Sequence, residues 1–371
     1  MRVRQGDVMK IVAVAGSSGG HIFPALCFLE AAKNSGAADT LLVLPKKNIL
    51  STRASAGCPT AFISITSLRL GSANSIFSGL CNLVKGSLES AGILLKYHPD
   101  VVVGFGSIAS VPLVLGAWFM RIPTLIHEQN VVPGRATKFL SFFVDAIAVS
   151  FQNTRGYLSH AGSRVRVTGN PVRQGLKKCG KKEALDFFGL RDSTFTILVM
   201  GGSQGSRRIN HEFMRSVPGL ARHGAFQVIH LTGEDDYLQV KKTYEDLHVT
   251  ARAYRFLDSM QYAYCAADIV IARAGAATVN EIIFFTIPAI LIPYPFARGH
   301  QLSNAKLLED KSAAIVLVEA LLRGAVLEDT LESLRNNPGL LEKMRRGFSG
   351  CMAQSSAAYT LYESARAIVE A

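Results

Sequence analysis

Two glycine-rich turns, one in each half of the chain, most constrain what this sequence can fold into. Residues 16–21 (GSSGGH) follow the apolar run 11–15, and residues 201–206 (GGSQGS) follow the apolar run 196–200. A helical pattern comes after each turn. A strand that passes through a glycine turn into a helix brings backbone N–H groups and the positive end of a helix towards an anion. The chain is therefore predicted to contain two nucleotide-type α/β units.

Short runs rich in valine, isoleucine and leucine recur along the whole chain, separated by amphipathic helical stretches. Such continuous apolar runs alternating with helices are typical of parallel sheets that are covered on both faces. The runs are 11–15, 40–44, 61–65, 101–103, 124–127, 146–149, 165–168, 196–200, 227–231, 252–256, 269–272, 289–293 and 315–318. We therefore predict an α/β protein with doubly wound parallel sheets.

The expected domain boundary lies at Pro171, where an apolar run ends and the basic segment 177–182 (KKCGKK) opens the next unit. We predict an N-terminal domain of residues 1–171, a C-terminal domain of residues 172–354, and a last helix, 355–371, that packs back on the N-terminal domain. Ligands of open parallel sheets bind at the carboxyl ends of the strands. We therefore expect two domains that face each other across a cleft, each supplying one ligand site.

The charge of the chain predicts an anionic partner. The formal net charge is +12, which suits a phosphorylated substrate or an anionic membrane surface. No nucleic acid is expected, because the sequence carries no aromatic–basic motif of the known nucleic-acid modules. The uncharged run 101–120 is long enough to span a bilayer. Its glycines and Pro112 favour instead a strand, a turn and a buried helix from about Val111.

His21 is the first candidate catalytic residue. The glycines of the first turn do not have the spacing G-x-G-x-x-G, which excludes a dinucleotide fingerprint. A histidine at the mouth of a helix, beside an anion site, can act as a general base. The competing interpretation is a histidine that only caps the helix.

Two further segments carry polar residues directly after apolar runs. Residues 127–130 (HEQN) are predicted either to line a ligand site or to form a capped loop. In residues 273–281 (RAGAATVNE), small side chains allow a ligand to approach, and Glu281 can accept hydrogen bonds from a ribose diol. The alternative for Glu281 is compensation of the helix dipole.

Taken together, these segments resemble the MurG family of GT-B glycosyltransferases, which act on lipid acceptors. The resemblance covers residues 9–305, and its motifs occur in order: GSSGGHIFPAL, VVVGFGS, HEQN, GNPVR, GGSQGSRRIN, AADIVIARAGAATVNEI, IPYP and HQLSNA. It implies a GT-B fold of two Rossmann-like domains. It also implies inverting transfer of N-acetylglucosamine from UDP-GlcNAc to the C4 hydroxyl of lipid I, which gives lipid II for peptidoglycan, by a peripheral enzyme on the cytoplasmic face of the bacterial membrane.

The resemblance also assigns roles to site residues. His21 is the favoured base and Glu128 the second candidate. Ser18, Gly19 and Gly20 lie near phosphates, Asn130 touches the donor sugar, and Arg173 and Ser203 hold the diphosphate. The Leu257 backbone reads the uracil, Glu281 binds the ribose and Gln301 the sugar hydroxyls. The helix N-terminus that binds the donor comprises Ala276, Ala277, Thr278, Val279, Asn280 and Glu281.

The sequence leaves some alternatives open. Ser107 and Ile108 replace the glycine and tyrosine usual in the acceptor loop of the family, which leaves the acceptor contacts uncertain. The chain could instead be a UDP-sugar:diacylglycerol glycosyltransferase, or a UDP-sugar-binding protein without turnover. No metal or other cofactor is expected, because the Asp235–Asp236 pair is predicted to lie in a solvated turn. Residues 68–97, with Arg69, Ile76, Phe77, Leu80, Leu83, Val84 and Lys85, are a candidate membrane contact.

Overall fold

The chain forms two compact units. A computed structural model describes residues 8–36, 38–46, 57–65, 73–172, 176–202, 205–297, 299–351 and 356–371, with the backbone alone for 73–80. The first unit comprises Met1–Arg173 and Gln354–Ala371, and the second comprises Gln174–Ala353. The last segment of the chain therefore belongs to the first unit.

Parallel strands and helices alternate in both units. The strands are β1 (Met9–Ala15), β2 (Ala38–Pro45), β3 (Thr60–Ile63), β4 (Val101–Phe105), β5 (Thr124–Glu128), β6 (Ala146–Val149), β7 (Val165–Val167), β8 (Phe195–Met200), β9 (Phe226–Leu231), β10 (Ala251–Tyr254), β11 (Ile269–Ala272), β12 (Ala289–Leu291) and β13 (Ala314–Val316). Each predicted apolar run overlaps one of these strands.

The helices follow the strands in chain order. They are α1 (Gly19–Asn34), α2 (Ala73–Tyr97), α3 (Ser110–Phe119), α4 (Arg135–Leu140), α5 (Lys181–Phe188), α6 (Arg207–Arg222), α7 (Tyr237–Asp246), α8 (Met260–Ala266), α9 (Ala276–Phe285), α10 (His300–Glu309), α11 (Gly324–Arg335), α12 (Pro338–Arg346) and α13 (Ala357–Glu370), with short 3₁₀ segments at Gln152–Arg164 and Glu319–Leu321.

The sheet of the first unit has the strand order β3-β2-β1-β4-β5-β6-β7, and every pair is parallel. The order reverses between β1 and β4, where Ala15 pairs with Phe105 at the carboxyl ends. Such a reversal leaves a crevice at the carboxyl edge of the sheet, and ligands of this fold class bind there.

The sheet of the second unit repeats this topology with the order β10-β9-β8-β11-β12-β13, again entirely parallel. Its order reverses between β8 and β11, where Met200 pairs with Ala272. The prediction of two Rossmann-like, doubly wound domains is confirmed.

Helices cover both faces of the first sheet. Alternate β1 residues point to opposite faces: Ile11 packs in a core with Phe28 of α1 and Leu361 of α13, whereas Val12 packs in a core with Leu94 of α2 and Leu113 of α3. The uncharged run 101–120 folds as β4 and α3, as predicted. Among the described residues, no helix combines the length and apolar character needed to cross a bilayer.

Candidate active site

The first glycine turn places His21 at the reversal point of the first sheet. Ser18 is the N-cap of α1. Its Oγ lies 2.8 Å from His21 Nδ1, and its carbonyl accepts a 3.0 Å hydrogen bond from the His21 backbone N–H. The Ser18 hydroxyl thus contacts the imidazole instead of a backbone N–H of its own helix, and this contact orients the ring.

The turn after β4 lies against this imidazole. Gly106 has a φ of +72°, and a Cβ on it would lie 3.2 Å from His21 Nε2. A Cβ on Gly16 would lie 2.5 Å from Ser107 Cβ, so both turns approach as closely as glycine allows. Ser107 itself has a φ of 69°, in the left-handed region that glycine favours. The turns after β1 and β4 therefore form one compact site around His21.

His127, at the end of β5, is a buried structural histidine. Its Nε2 donates to the Gly169 carbonyl at 3.0 Å, and its Nδ1 accepts from Gln129 Nε2 at 3.1 Å. Burial lowers the pKa of His127 to about 4, despite the opposing effect of the Gly169 carbonyl. The neutral ring therefore joins the end of β5 to the segment after β7.

Glu128 organises the loop that follows β5. Its Oε1 accepts hydrogen bonds from the Asn130 backbone N–H at 3.0 Å and from Asn130 Nδ2 at 3.1 Å. Its Oε2 accepts from the Gly134 N–H at 3.0 Å, and the side chain is 2% exposed. The Glu128 carboxylate thus caps the loop that begins at Gln129 and contains Asn130 and Gly134.

The second glycine turn lies at the reversal point of the second sheet. A Cβ on Gly201 would lie 2.2 Å from the Ser206 nitrogen, and one on Gly205 would lie 2.2 Å from the Thr232 carbonyl oxygen. Only glycine fits these positions. Ser206 is the N-cap of α6, and its Oγ accepts from the Ile209 N–H at 3.5 Å.

Arg273, the first residue after β11, joins this turn to its neighbours. Its Nη2 donates to Ser206 Oγ at 2.8 Å and its Nη1 to the Ile292 carbonyl at 3.2 Å. It also forms an ion pair with Glu319. One buried guanidinium thus connects the segments that follow β8, β11 and β12.

The candidate donor helix α9 begins at Ala276 after the N-cap Gly275. Glu281 is buried one turn into this helix, and its Oε2 accepts a 2.7 Å hydrogen bond from the Tyr264 hydroxyl. Asn280 Nδ2 donates to the Ala276 carbonyl within the helix. Ala277 and Thr278 are half-buried, and Val279 is buried. Leu257, beyond the end of β10, is 9% exposed.

Gln301 lies in the first turn of α10. Its Oε1 accepts a 2.9 Å hydrogen bond from the Tyr294 N–H. This contact fixes the amide with Nε2 as its donor end, which is the end that a sugar hydroxyl would accept from.

Both halves of the chain match one known family of enzymes. Residues 11–149 match the glycosyltransferase family 28 N-terminal domain, and residues 196–359 match the glycosyltransferase family 28 C-terminal domain. A protein of Halothermothrix orenii, named UDP-N-acetylglucosamine–N-acetylmuramyl-(pentapeptide) pyrophosphoryl-undecaprenol N-acetylglucosamine transferase, is 37% identical over 91% of this chain and 93% of its own length. The chain belongs to the MurG family of glycosyltransferases.

Further relatives agree with this membership. The transferase of the same name from Caldanaerobacter subterraneus is 34% identical over 97% of this MurG-family chain and all of its own length. The crystal structure of MurG from Acinetobacter baumannii superposes with a TM-score of 0.78 at 24% identity, over 97% of this chain and 99% of that one. The superposition supports the GT-B fold.

Two predicted donor residues of this MurG-family chain, Arg173 and Ser203, lie outside the described residues. In the described part of the chain, no group of three or more His, Cys, Asp or Glu side chains could hold a metal ion. The contact of Glu281 with Tyr264 and the contacts of Arg273 are not predictable from the sequence, because the partners lie on other elements. The sequence marks Arg273 only as an arginine that directly follows an apolar strand.

Proposed function

We propose that this chain transfers N-acetylglucosamine from UDP-GlcNAc to the C4 hydroxyl of the N-acetylmuramyl unit of lipid I, with inversion, to give lipid II in peptidoglycan synthesis. Relatives that are 34–37% identical to this chain are named as N-acetylglucosamine transferases of UDP-N-acetylglucosamine and N-acetylmuramyl-(pentapeptide) pyrophosphoryl-undecaprenol. The observation that carries the proposal is the His21 imidazole, oriented by Ser18 over the bare backbone of Gly106 at a helix N-terminus.

In the proposed step, His21 Nε2 accepts the proton of the acceptor hydroxyl. The acceptor oxygen forms a bond to C1 of N-acetylglucosamine as the bond from C1 to the phosphate oxygen breaks, and UDP leaves with that electron pair. A positioned general base of this kind contributes about 10²- to 10⁴-fold to the rate. Attack from the face opposite the leaving group inverts the anomeric centre.

His21 is preferred to Glu128 as the base. Both carboxylate oxygens of Glu128 already accept hydrogen bonds from the backbone or side chain of their own loop. A base must reach the proton that it removes. His21 is only partly buried and meets this condition at the carboxyl edge of the sheet.

The second unit is the proposed donor site. Glu281, whose Oε2 accepts the hydrogen bond from Tyr264, is proposed to bind the ribose diol, and Gln301 offers Nε2 to the sugar hydroxyls. The N-terminus of α9, with Ala276 and Thr278, would stabilise the charge on the departing diphosphate. Arg173 and Ser203 are proposed to assist. This set requires no metal or cofactor.

The two alternatives raised by the sequence are not favoured. A diacylglycerol glycosyltransferase or a binding protein without turnover would have to arise within a set of relatives named for transfer to an N-acetylmuramyl acceptor. The orientation of the His21 imidazole by Ser18 also supports turnover.

We further propose that the enzyme works as a peripheral protein on the cytoplasmic face of the bacterial membrane. Val84, Leu88 and Leu95 of α2 are more than half exposed beside the exposed cation Lys85. Near the end of α3, Phe119 is 75% exposed. Exposed apolar side chains with basic neighbours bind anionic bilayer surfaces. Of the other candidate contact residues, Leu83 is half-buried, whereas Arg69 and the side chains of Ile76, Phe77 and Leu80 lie outside the described residues.

The test measures transfer of radiolabelled N-acetylglucosamine from UDP-GlcNAc to a lipid I analogue. Wild type is compared with His21→Ala and with His98→Ala, which removes an exposed histidine of the same unit. We expect transfer by wild type and by His98→Ala, and a loss of about 10²-fold or more in His21→Ala. Wild-type protein that binds UDP-GlcNAc but transfers nothing would refute the proposal.

A further inference from the structure

Gln129 carries a buried oxygen that lacks a hydrogen-bond partner. The side chain is 1% exposed, and its Nε2 donates to His127 Nδ1 at 3.1 Å and to the His127 carbonyl at 3.2 Å. The contact with a carbonyl requires a donor, which fixes the amide orientation. Oε1 has no hydrogen-bond partner within the described part of the chain. Burying a polar atom without a partner is costly, so this oxygen points to a donor that a ligand supplies.

The unpartnered oxygen borders the same space as the proposed base. A Cβ on Gly106 would lie 3.2 Å from His21 Nε2 and 3.4 Å from Gln129 Oε1. Both atoms therefore lie close together on the side of Gly106 where a side chain would project. A ligand that presents one hydroxyl to His21 can place a neighbouring group near Gln129.

The chemistry of the acceptor sugar identifies that neighbouring group. This step rests on the proposed function, in which His21 receives the proton of the C4 hydroxyl. A carbonyl oxygen only accepts hydrogen bonds. On a muramyl unit, the neighbouring C3 position carries a lactyl ether without a proton, whereas C6 carries a free primary hydroxyl.

We propose that Gln129 Oε1 accepts a hydrogen bond from the C6 hydroxyl of the muramyl unit and thereby orients the C4 hydroxyl towards His21. Gln129 is then a specificity-determining residue for the acceptor. The bond is neutral, and its removal leaves the Gln129 oxygen buried without a partner.

The test is a cycle of two enzymes and two acceptors. Wild type and Gln129→Met are each assayed for kcat/KM with a lipid I analogue and with its 6-deoxy counterpart. We expect wild type to prefer the parent acceptor by about tenfold, and Gln129→Met to use both acceptors equally. A partly unfolded preparation slows both reactions by the same factor, so the ratio of the two kcat/KM values is unaffected. An unchanged preference in Gln129→Met would overturn the inference.

A second arm needs only the wild-type enzyme. A 6-deoxy-6-fluoro acceptor keeps the size of the substituent but donates no hydrogen bond, so it should react as slowly as the 6-deoxy acceptor. Reaction at the parent rate would overturn the inference. Failure of wild type to glycosylate even the parent acceptor would instead refute the proposed function, which keeps the two failures distinct.

Discussion

Arg273 Nη2 donates a 2.8 Å hydrogen bond to Ser206 Oγ, which joins the residue after β11 to the N-cap of α6. These two segments flank the point where the strand order of the second sheet reverses. Arg273 is 8% exposed and also pairs with Glu319. The loops that would bind the donor are thus held by a single charged side chain rather than by apolar packing alone.

Replacing Arg273 with methionine should destabilise the second unit and weaken donor binding. Glu319 would keep a poorly hydrated charge without its cation, which costs about 3 kcal/mol in unfolding free energy. Urea unfolding and calorimetric titration with UDP-GlcNAc would measure both effects. Arg207→Met is the matched control, because the pair of Arg207 with Asp235 is exposed on both sides and should contribute less than about 1 kcal/mol. Equal losses in the two variants would contradict this account of Arg273.

Gly106→Ala should reduce transfer more than it reduces stability. The new Cβ would press on His21 and Gln129, while the left-handed backbone alone costs about 1 kcal/mol. Gly36→Ala isolates the backbone cost, because Gly36 has a φ of +75° and no neighbour within 4 Å of its added Cβ. We expect similar thermal unfolding of both variants and loss of transfer only in Gly106→Ala. Full activity of Gly106→Ala would mean that transfer does not depend on the close approach of Gly106 to His21 and Gln129.

Glu128→Gln should destabilise the first unit, with a smaller effect on the chemical step. An amide at this position lacks one of the two acceptor oxygens that hold Asn130 and Gly134, and an unsatisfied buried group costs about 1–3 kcal/mol. Thermal unfolding and kcat would be measured beside Glu30→Gln, which changes an exposed carboxylate of α1. A kcat about 10²-fold lower with unchanged stability would reassign the base role to Glu128.

Buried His230 should make the second unit sensitive to acid. Burial lowers the pKa of His230 from 6.5 to about 3, and the ring lies between Tyr244 and Asn210. Below pH 6.5 the unfolded chain binds a proton that the folded chain excludes. The unfolding free energy is therefore highest above pH 6.5 and decreases as the pH falls towards 3.

The experiment compares wild type with His230→Gln by urea unfolding, read out by hydrogen exchange of peptides from β9. Between about pH 6.5 and pH 5, wild type should lose about 2 kcal/mol more unfolding free energy than the variant. Equal pH dependence would show that His230 does not titrate as its burial requires.

The fold was predictable because strands buried on both faces of a parallel sheet read as unbroken apolar runs. Each predicted run overlaps an observed strand, even the short β13. The location of His21 followed in the same way from the glycine turn that precedes it. The residues around it were harder to predict. The contact of Gly106 with His21, and that of Tyr264 with Glu281, join different secondary-structure elements, and no local pattern encodes such pairs.

The position of α13 has a consequence for biosynthesis. Leu361, Tyr362 and Ala365 fill the core that β1 and α1 begin, yet the whole second unit lies between them in the chain. Domains generally fold as they leave the ribosome. The core of the first unit therefore stays incomplete during synthesis, with an uncovered apolar face, until α13 has been made. The second unit contains all of its own core residues and can fold before that point.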